Sequence, residues 1–344
     1  MTAPAQTLPR SDTVVTASLA HLARIVLPKG RFIYAHEAGD TATVHDGYNL
    51  LRHCGTLWFM ARATTLIPGR ADPDLLAAIA RATAYLGQRL APPPWAAPGR
   101  PSLGLVGNGA VKLGGLGLGL LALTEVAAIP ALILPPNALP HPLPDTMSRM
   151  RQYALDEIDG DDFRHKRVFA TGEVLGFRSD YYTGEAIFGL LMSGPSTPDL
   201  TRVTTALMRQ GYGFAQQSHW MAYAACEAVA RSVVPEALGS AYLTGLMEAI
   251  LADTHYRARR QSTPIACRTE ALTRVLLLAR DHPGLLTPDL LNRIRSAAAE
   301  NLALQLDWYG DGQFWKGDDA RKVQIDYIQH NATAFLHWGL LGEG

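Results

Sequence analysis

The sequence predicts an all-α fold: an (α/α)6 toroid of about six helical hairpins, with the inner helices parallel and the long loops at one mouth. Three observations predict it. Apolar, helix-length segments alternate with amphipathic ones along nearly the whole chain, with almost no strand pattern. A helix apolar on every side is normally buried on every side, and a ring encloses one helix of each pair while its partner faces water. Turns from an apolar segment to its partner are short, whereas returns to the next apolar segment are mostly long. Pairwise bundles and open solenoids also satisfy antiparallel packing, but a solenoid repeats its length more strictly than this chain does.

The elements follow in order as a single domain over 1–344, with 1–11 expected to be flexible. Ser11 and Asp12 offer a cap for a helix reaching 27, with Val14, Leu19, Leu22, Ile25 and Val26 on its apolar side. Residues 31–35 read as extended, and Asp46 and Gly47 turn the chain into an apolar helix over 48–67. Pro68 and Gly69 stop it, and Asp72 and Pro73 start an amphipathic partner. A Pro- and Gly-rich loop leads to a small-residue apolar helix over 111–127, and its partner spans 144–158. Further pairs follow: 181–192 with 199–214, then a helix from Ser218 with 235–256, then a helix from Cys267 with 288–308. A last apolar helix opens at Asp326. In a hairpin ring the first turns of all inner helices converge at the mouth where the long loops gather, and the connection 128–143 is the exception at the opposite end.

Composition narrows the function classes. The chain is 48% hydrophobic and 18% charged, a globular balance. With 31 basic and 31 acidic side chains it carries no net field to draw nucleic acid or anionic membranes. No run of 18 apolar residues suggests a membrane span. The N-terminus lacks a basic start followed by an apolar core, so a cytoplasmic location is expected. The three cysteines form no C-x-x-C pair. Glycines 114, 115, 117 and 119 follow no strand and read as close-packing positions, not a phosphate loop. The basic run 164–167, flanked by acids at 159–162, reads as a solvated loop.

The first turns of the inner helices bring polar and aromatic residues to the mouth: Tyr48, Asn49, Arg52 and His53; Lys112; Tyr181, Tyr182 and Glu185; His219, Trp220 and Tyr223; Arg268 and Glu270; Asp326, Tyr327, Gln329 and His330. Aromatic faces suit sugar rings, and charged groups give directional hydrogen bonds. Glycoside hydrolysis needs two carboxylates, so Glu185 and Asp326 are the leading catalytic pair, with Glu270 third. Helix N-termini lower carboxylate pKa values, so the acid of the pair must be buried or paired with another acid. Each carboxylate serves equally well to cap a helix or pair with Arg52 or Arg268. His53, His219 and His330 suit proton transfer at carbon, or are satisfied buried imidazoles. Cys54 beside His53, with Cys226 and Cys267, raises the question of zinc; inner-helix burial already explains these thiols, and no metal or cofactor is expected.

The segments Tyr48-Asn-Leu-Leu-Arg-His-Cys-Gly-Thr56, Tyr181-Tyr-Thr-Gly-Glu-Ala186 and 326–332 each open an inner helix. With the alternation that covers nearly the whole chain, they resemble the six-hairpin (α/α)6-barrel glycosidase-like superfamily. That resemblance implies a carbohydrate-active enzyme working at the inner-helix mouth, and the superfamily spans glycoside hydrolases, unsaturated-uronide hydrolases, lyases and sugar epimerases, among which fold does not choose. The expectation is a glycoside hydrolase using Glu185 and Asp326. Arg52 and Arg268 would hold a polar or anionic sugar group, and Tyr182 and Trp220 would be platforms. Tyr48, Asn49, His53, Tyr181, His219, Gln329 and His330 would complete the surface for a carbohydrate or other small polar ligand. The alternatives are a sugar epimerase or isomerase using His219 and His330, and a non-catalytic glycan- or peptide-binding barrel.

Overall fold

The structure, a computed structural model, describes residues 10–342 apart from 68, 70 and 98. The expected flexible segment 1–11 lies mostly outside the described residues, and Ser11 is buried in the first turn of a helix. The helices are α1 (Ser11–Arg24), α2 (Leu50–Leu66), α3 (Pro73–Gly87), α4 (Leu113–Ala127), α5 (Leu143–Asp156), α6 (Tyr182–Met192), α7 (Pro198–Arg209), α8 (His219–Ala230), α9 (Glu236–Ala252), the single turn α10 (His255–Ala258), α11 (Ser262–Asp281), α12 (Pro288–Gln305) and α13 (Ile325–Leu340).

Helices α2, α4, α6, α8, α11 and α13 pack in that order, and α13 returns to α2 to close an inner ring. Helices α1, α3, α5, α7, α9 and α12 lie outside it. The burial patterns show why. Helix α2 is buried without interruption from His53 to Ala61, so it has neighbours on every side. Helix α7 buries Leu200, Val203, Thr204, Leu207 and Met208, the one-sided spacing of a surface helix. Three outer helices start on the expected signal, a capping side chain followed by proline. Asp72 accepts from the Asp74 and Leu75 amides, Thr197 from Leu200 and Thr287 from Leu290, each cap contributing about 1 kcal/mol.

A short strand over 110–112 does precede the glycines of α4, against expectation, but the close approach they were expected to allow is there. A Cβ at Gly117 would lie 2.2 Å from the Glu185 carbonyl oxygen, and one at Gly189 would lie 2.3 Å from that of Gly117. Helices α4 and α6 therefore meet backbone to backbone.

Several boundaries differ from expectation. Helix α2 begins at Leu50 with Asn49 as its cap, so Tyr48 precedes it. Helix α11 begins at Ser262, well before Cys267, and the expected 235–256 helix is broken into α9 and α10. The larger correction concerns the mouth loops, which carry strands of two to five residues, too short to show alternation in sequence. These are β1 (Ala35–Glu37), β2 (Asp40–Val44), β3 (Leu90–Ala91), β4 (Gly104–Gly107), β5 (Ala110–Lys112), β6 (Ile158–Asp159), β7 (Asp162–Phe163), β8 (Lys166–Val168), β9 (Tyr309–Gly310), β10 (Gln313–Gly317) and β11 (Ala320–Gln324). One antiparallel sheet runs β2-β1-β11-β10-β9, with Ala35 opposite Gln324. It ties the loop before α2 to the loop before α13 and so fastens the two ends of the ring. A second, β3-β4-β5-β8, ties the loop before α4 to the loop before α6. The mouth is thus framed by sheets, which fix the first turns of the inner helices. Among the described residues no helix is long and apolar enough to cross a membrane.

Candidate active site

A cavity of about 310 Å3 opens at the mouth. Its wall takes in residues from the openings of all but one of the inner helices, α4 reaching it lower down through Leu118. Of the expected site residues, Asn49, Arg52, Tyr181, Tyr182, Glu185, His219, Trp220, Arg268, Asp326, Gln329 and His330 line it. Tyr48, His53 and Glu270 do not.

Glu185 sits in the first turn of α6 and is 6% exposed. Its Oε2 is buried with no hydrogen-bond partner among the described residues. The room for that oxygen is made on the neighbouring helix, because a Cβ at Gly114 would lie 1.9 Å from it. Burial raises the Glu185 pKa to about 8, against the lowering influence of His330. At neutral pH this side chain is a carboxylic acid able to donate a proton.

Asp326, in the first turn of α13, is also buried but fully engaged. Arg52 Nε lies 3.0 Å from its Oδ2, and the Gln324 amide donates to its Oδ1 at 2.7 Å. Arg52 in addition donates to the Tyr34 hydroxyl at 2.6 Å. Arg268 donates from Nε to Gln217 at 2.9 Å and from its other nitrogens to the Pro264 and Gln216 carbonyls. Neither arginine is thus a free anion clamp. Arg52 holds the second carboxylate, and Arg268 braces the loop before α8.

Glu270 lies behind the cavity wall, fully buried in α11. It accepts from the Tyr223 hydroxyl at 2.7 Å and from His330 Nδ1 at 2.6 Å. Its place is that of an orienting group for His330, not of a carboxylate facing substrate. Burial opposes charge on His330, but Cys267 and Glu270 outweigh it and hold its pKa well above the ordinary value. His219 is shifted the other way, by burial first and then by His330 and Arg268. The two imidazoles meet edge to face with ring centroids 5.1 Å apart. Trp220 packs against both, so its ring belongs as much to the wall as to any ligand.

His53 and Tyr48 belong to a different environment. His53 Nε2 donates to the Ala82 carbonyl at 3.0 Å, so Nδ1 is the acceptor for the hydrogen bond that the Tyr48 hydroxyl donates at 2.6 Å. That hydroxyl in turn accepts from the Phe32 amide at 3.3 Å. The set locks α2 to α3, and burial lowers the His53 pKa to about 4. Tyr48 and Lys112 line a neighbouring cleft that shares Asn49 with the main cavity. The 164–167 run is not the solvated loop expected: Lys166–Val168 is strand β8, His165 is buried, Arg164 pairs with Asp159, and Arg167 pairs with the buried Glu157.

Cys267 is a cavity-lining residue that the sequence reading considered only alongside Cys54 and Cys226, both of which are buried elsewhere. Its spacing from Glu270, i to i+3 on one helix, was the available signal. Tyr34 and Gln324, which complete the Arg52–Asp326 pair, carried no signal, since both lie in the strand-bearing loops.

No protein-family profile matches the sequence, and no curated protein is significantly similar to it. Solved structures are similar over their full length. A D-mannose isomerase superposes with a TM-score of 0.67 at 11% identity, over 98% of this chain and 98% of that one. A cellobiose 2-epimerase from Bacillus thermoamylovorans gives 0.64 at 8% identity, over 95% and 98%. An α-mannanase of glycoside hydrolase family 76 from Bacteroides thetaiotaomicron gives 0.60 at 9% identity, over 98% of each chain. At such identities the likeness establishes the fold, the six-hairpin (α/α)6 barrel, as the sequence led one to expect.

Proposed function

We propose that the protein is a carbohydrate-active enzyme, a glycoside hydrolase in which Glu185 is the general acid and Asp326 the second carboxylate. The observation that carries this reading is the unpartnered, buried carboxyl of Glu185 in a cavity it shares with an ion-paired carboxylate. Glycosidic cleavage needs these two protonation states side by side. Glu185 donates its proton to the departing glycosidic oxygen, and Asp326 activates water or attacks the anomeric carbon. Arg52 keeps Asp326 in place, and the exposed Tyr181 offers a ring face to the sugar, while Tyr182, packed between His165 and Phe177, belongs to the wall. The similar folds are named for enzymes of mannose, mannan and cellobiose, which gives the first panel to try.

The test is release of shorter products from manno- and cello-oligosaccharides, followed by mass spectrometry, with Glu185→Gln and Asp326→Asn as controls. Turnover that survives both substitutions ends the assignment. A second reading, proton transfer at carbon, is favoured by the facing His219 and His330 rings. It predicts uptake of deuterium from solvent into mannose or cellobiose without cleavage.

A further inference from the structure

We propose that His219, Cys267 and His330 bind one divalent transition-metal ion, zinc by ligand chemistry, in the wall of the mouth cavity. Donor atoms of these three side chains and of Glu270 all lie within 4.8 Å of one another. They come from α8, α11 and α13, which are consecutive members of the inner ring, so the rigid part of the fold sets their spacing. Zinc bonds of about 2.0–2.3 Å place donors roughly 3.3–3.8 Å apart in a tetrahedron, so binding draws the side chains together by about 1 Å.

Four features fit the ion. The donor set is one thiol and two imidazoles, a combination that suits zinc over calcium or magnesium. All three residues face the cavity, so a fourth position opens toward the space where a substrate would sit, as in catalytic zinc sites. The hydrogen bonding behind the donors is also that of a metal site. Glu270 accepts from His330 Nδ1, so Nε2 is the nitrogen left to a metal, while Tyr223 donates to the other oxygen of Glu270. His219 Nε2 is buried and has no partner among the described residues, a position that a metal bond would satisfy.

The same residues also contain the elements of a thiol–imidazole–carboxylate nucleophile, Cys267–His330–Glu270. That arrangement gives no role to the unpartnered nitrogen of His219, and the metal does. The ion would withdraw both imidazoles from proton transfer, so this centre and the proton-transfer reading exclude each other. Its ligands include neither Glu185 nor Asp326, so the centre does not depend on the hydrolytic reading, and its charge beside His330 would lower the Glu185 pKa.

The experiment uses the full chain, freed of metal by chelator and titrated with Co2+ and Zn2+. The expected result is one ion per chain, with a near-ultraviolet thiolate-to-cobalt band that Cys267→Ser abolishes. His219→Ala weakens binding by roughly 100-fold or more, and Glu270→Gln by about 10–100-fold, with circular dichroism confirming the fold of each. In the wild-type protein, saturating Zn2+ protects Cys267 from iodoacetamide, as read by peptide mass, a result that depends on no variant. Failure of the wild type to bind either ion stoichiometrically at about 10 µM free metal overturns the proposal. So does a cobalt spectrum unchanged by Cys267→Ser. Rapid alkylation of Cys267 under saturating Zn2+ also overturns it.

Discussion

The opening of α2 and the wall formed by α6, α8 and α13 begin from the same problem, polar side chains on helices that are buried all round. They solve it differently. At α2, His53 has both nitrogens matched, by the Tyr48 hydroxyl and the Ala82 carbonyl, and the Tyr48 hydroxyl is itself used twice. Across the ring, Glu185 Oε2 and His219 Nε2 are buried with no partner among the described residues. A saturated polar cluster stabilises the fold and has nothing left with which to bind, whereas an unsaturated one leaves donors and acceptors for a ligand. The best-marked polar stretch in the sequence is therefore structural in its His53 half, and the chemistry lies on other staves of the barrel.

The sharpest way to test that contrast is to change one group in each region. Glu185→Gln keeps the shape and removes the proton, so turnover should fall about 10²–10⁴-fold, the usual contribution of a general acid. Steady-state kinetics on whichever oligosaccharide is cleaved would show it. His53→Ala should do the reverse. It opens a space beneath α3 and leaves the Ala82 carbonyl and the Tyr48 hydroxyl without their partner, at about 2–4 kcal/mol of stability in urea unfolding. The activity per folded molecule should stay within about 3-fold. An inactive but fully stable His53→Ala protein would place the saturated cluster in the site.

Much of this was legible in sequence, and the reason it stopped where it did is physical. The alternation of helix types, the caps at Asp72, Thr197 and Thr287, and the placing of Glu185 and Asp326 in first turns depend on local periodicity and capping. What decides function at those residues is non-local. Glu185 is unpartnered because Gly114, on a different helix, gives its carboxyl room and no donor. Asp326 is partnered because Arg52 and Gln324 reach it from two sides. His53 is satisfied by a backbone carbonyl, a group that every residue has and that no sequence pattern marks. Cys267 meets His219 and His330 only because the ring brings three helices together.

The two regions should also respond oppositely to pH. Glu185 has a folded-state pKa of about 8 against an ordinary 4.5, so the folded protein keeps a proton that the unfolded chain releases. Its contribution to stability is complete below pH 4.5 and is lost as pH rises toward 8. His53 is held at about 4 against 6.5, so there the unfolded chain binds the extra proton, and stability is lost as pH falls from 6.5 toward 4. Each slope is at most about 1.4 kcal/mol per pH unit. Urea unfolding across pH 4–9 should show Glu185→Gln flattening the decline above pH 6.5 and steepening the rise below it, where the two slopes oppose each other. A pH dependence left unchanged by the substitution would mean that the carboxyl titrates normally in the folded state.

The smallest effect is the finest test. Tyr48→Phe keeps the ring, which packs on Tyr34 and Tyr85, and deletes one hydroxyl. The Phe32 amide loses an acceptor and His53 Nδ1 loses a donor, but the histidine remains held through Nε2, so the loss should be about 1 kcal/mol, smaller than for His53→Ala. Combined with His53→Ala, the substitution should add less than it does alone, because the two side chains share one hydrogen bond. Tyr48 also borders the cleft beside the main cavity, where Arg31 lies 4.3 Å over its ring. If Tyr48→Phe lowered turnover while the urea midpoint stayed fixed, the hydroxyl would be facing substrate through that cleft, and the division between a saturated and an unsaturated region would fail at its boundary.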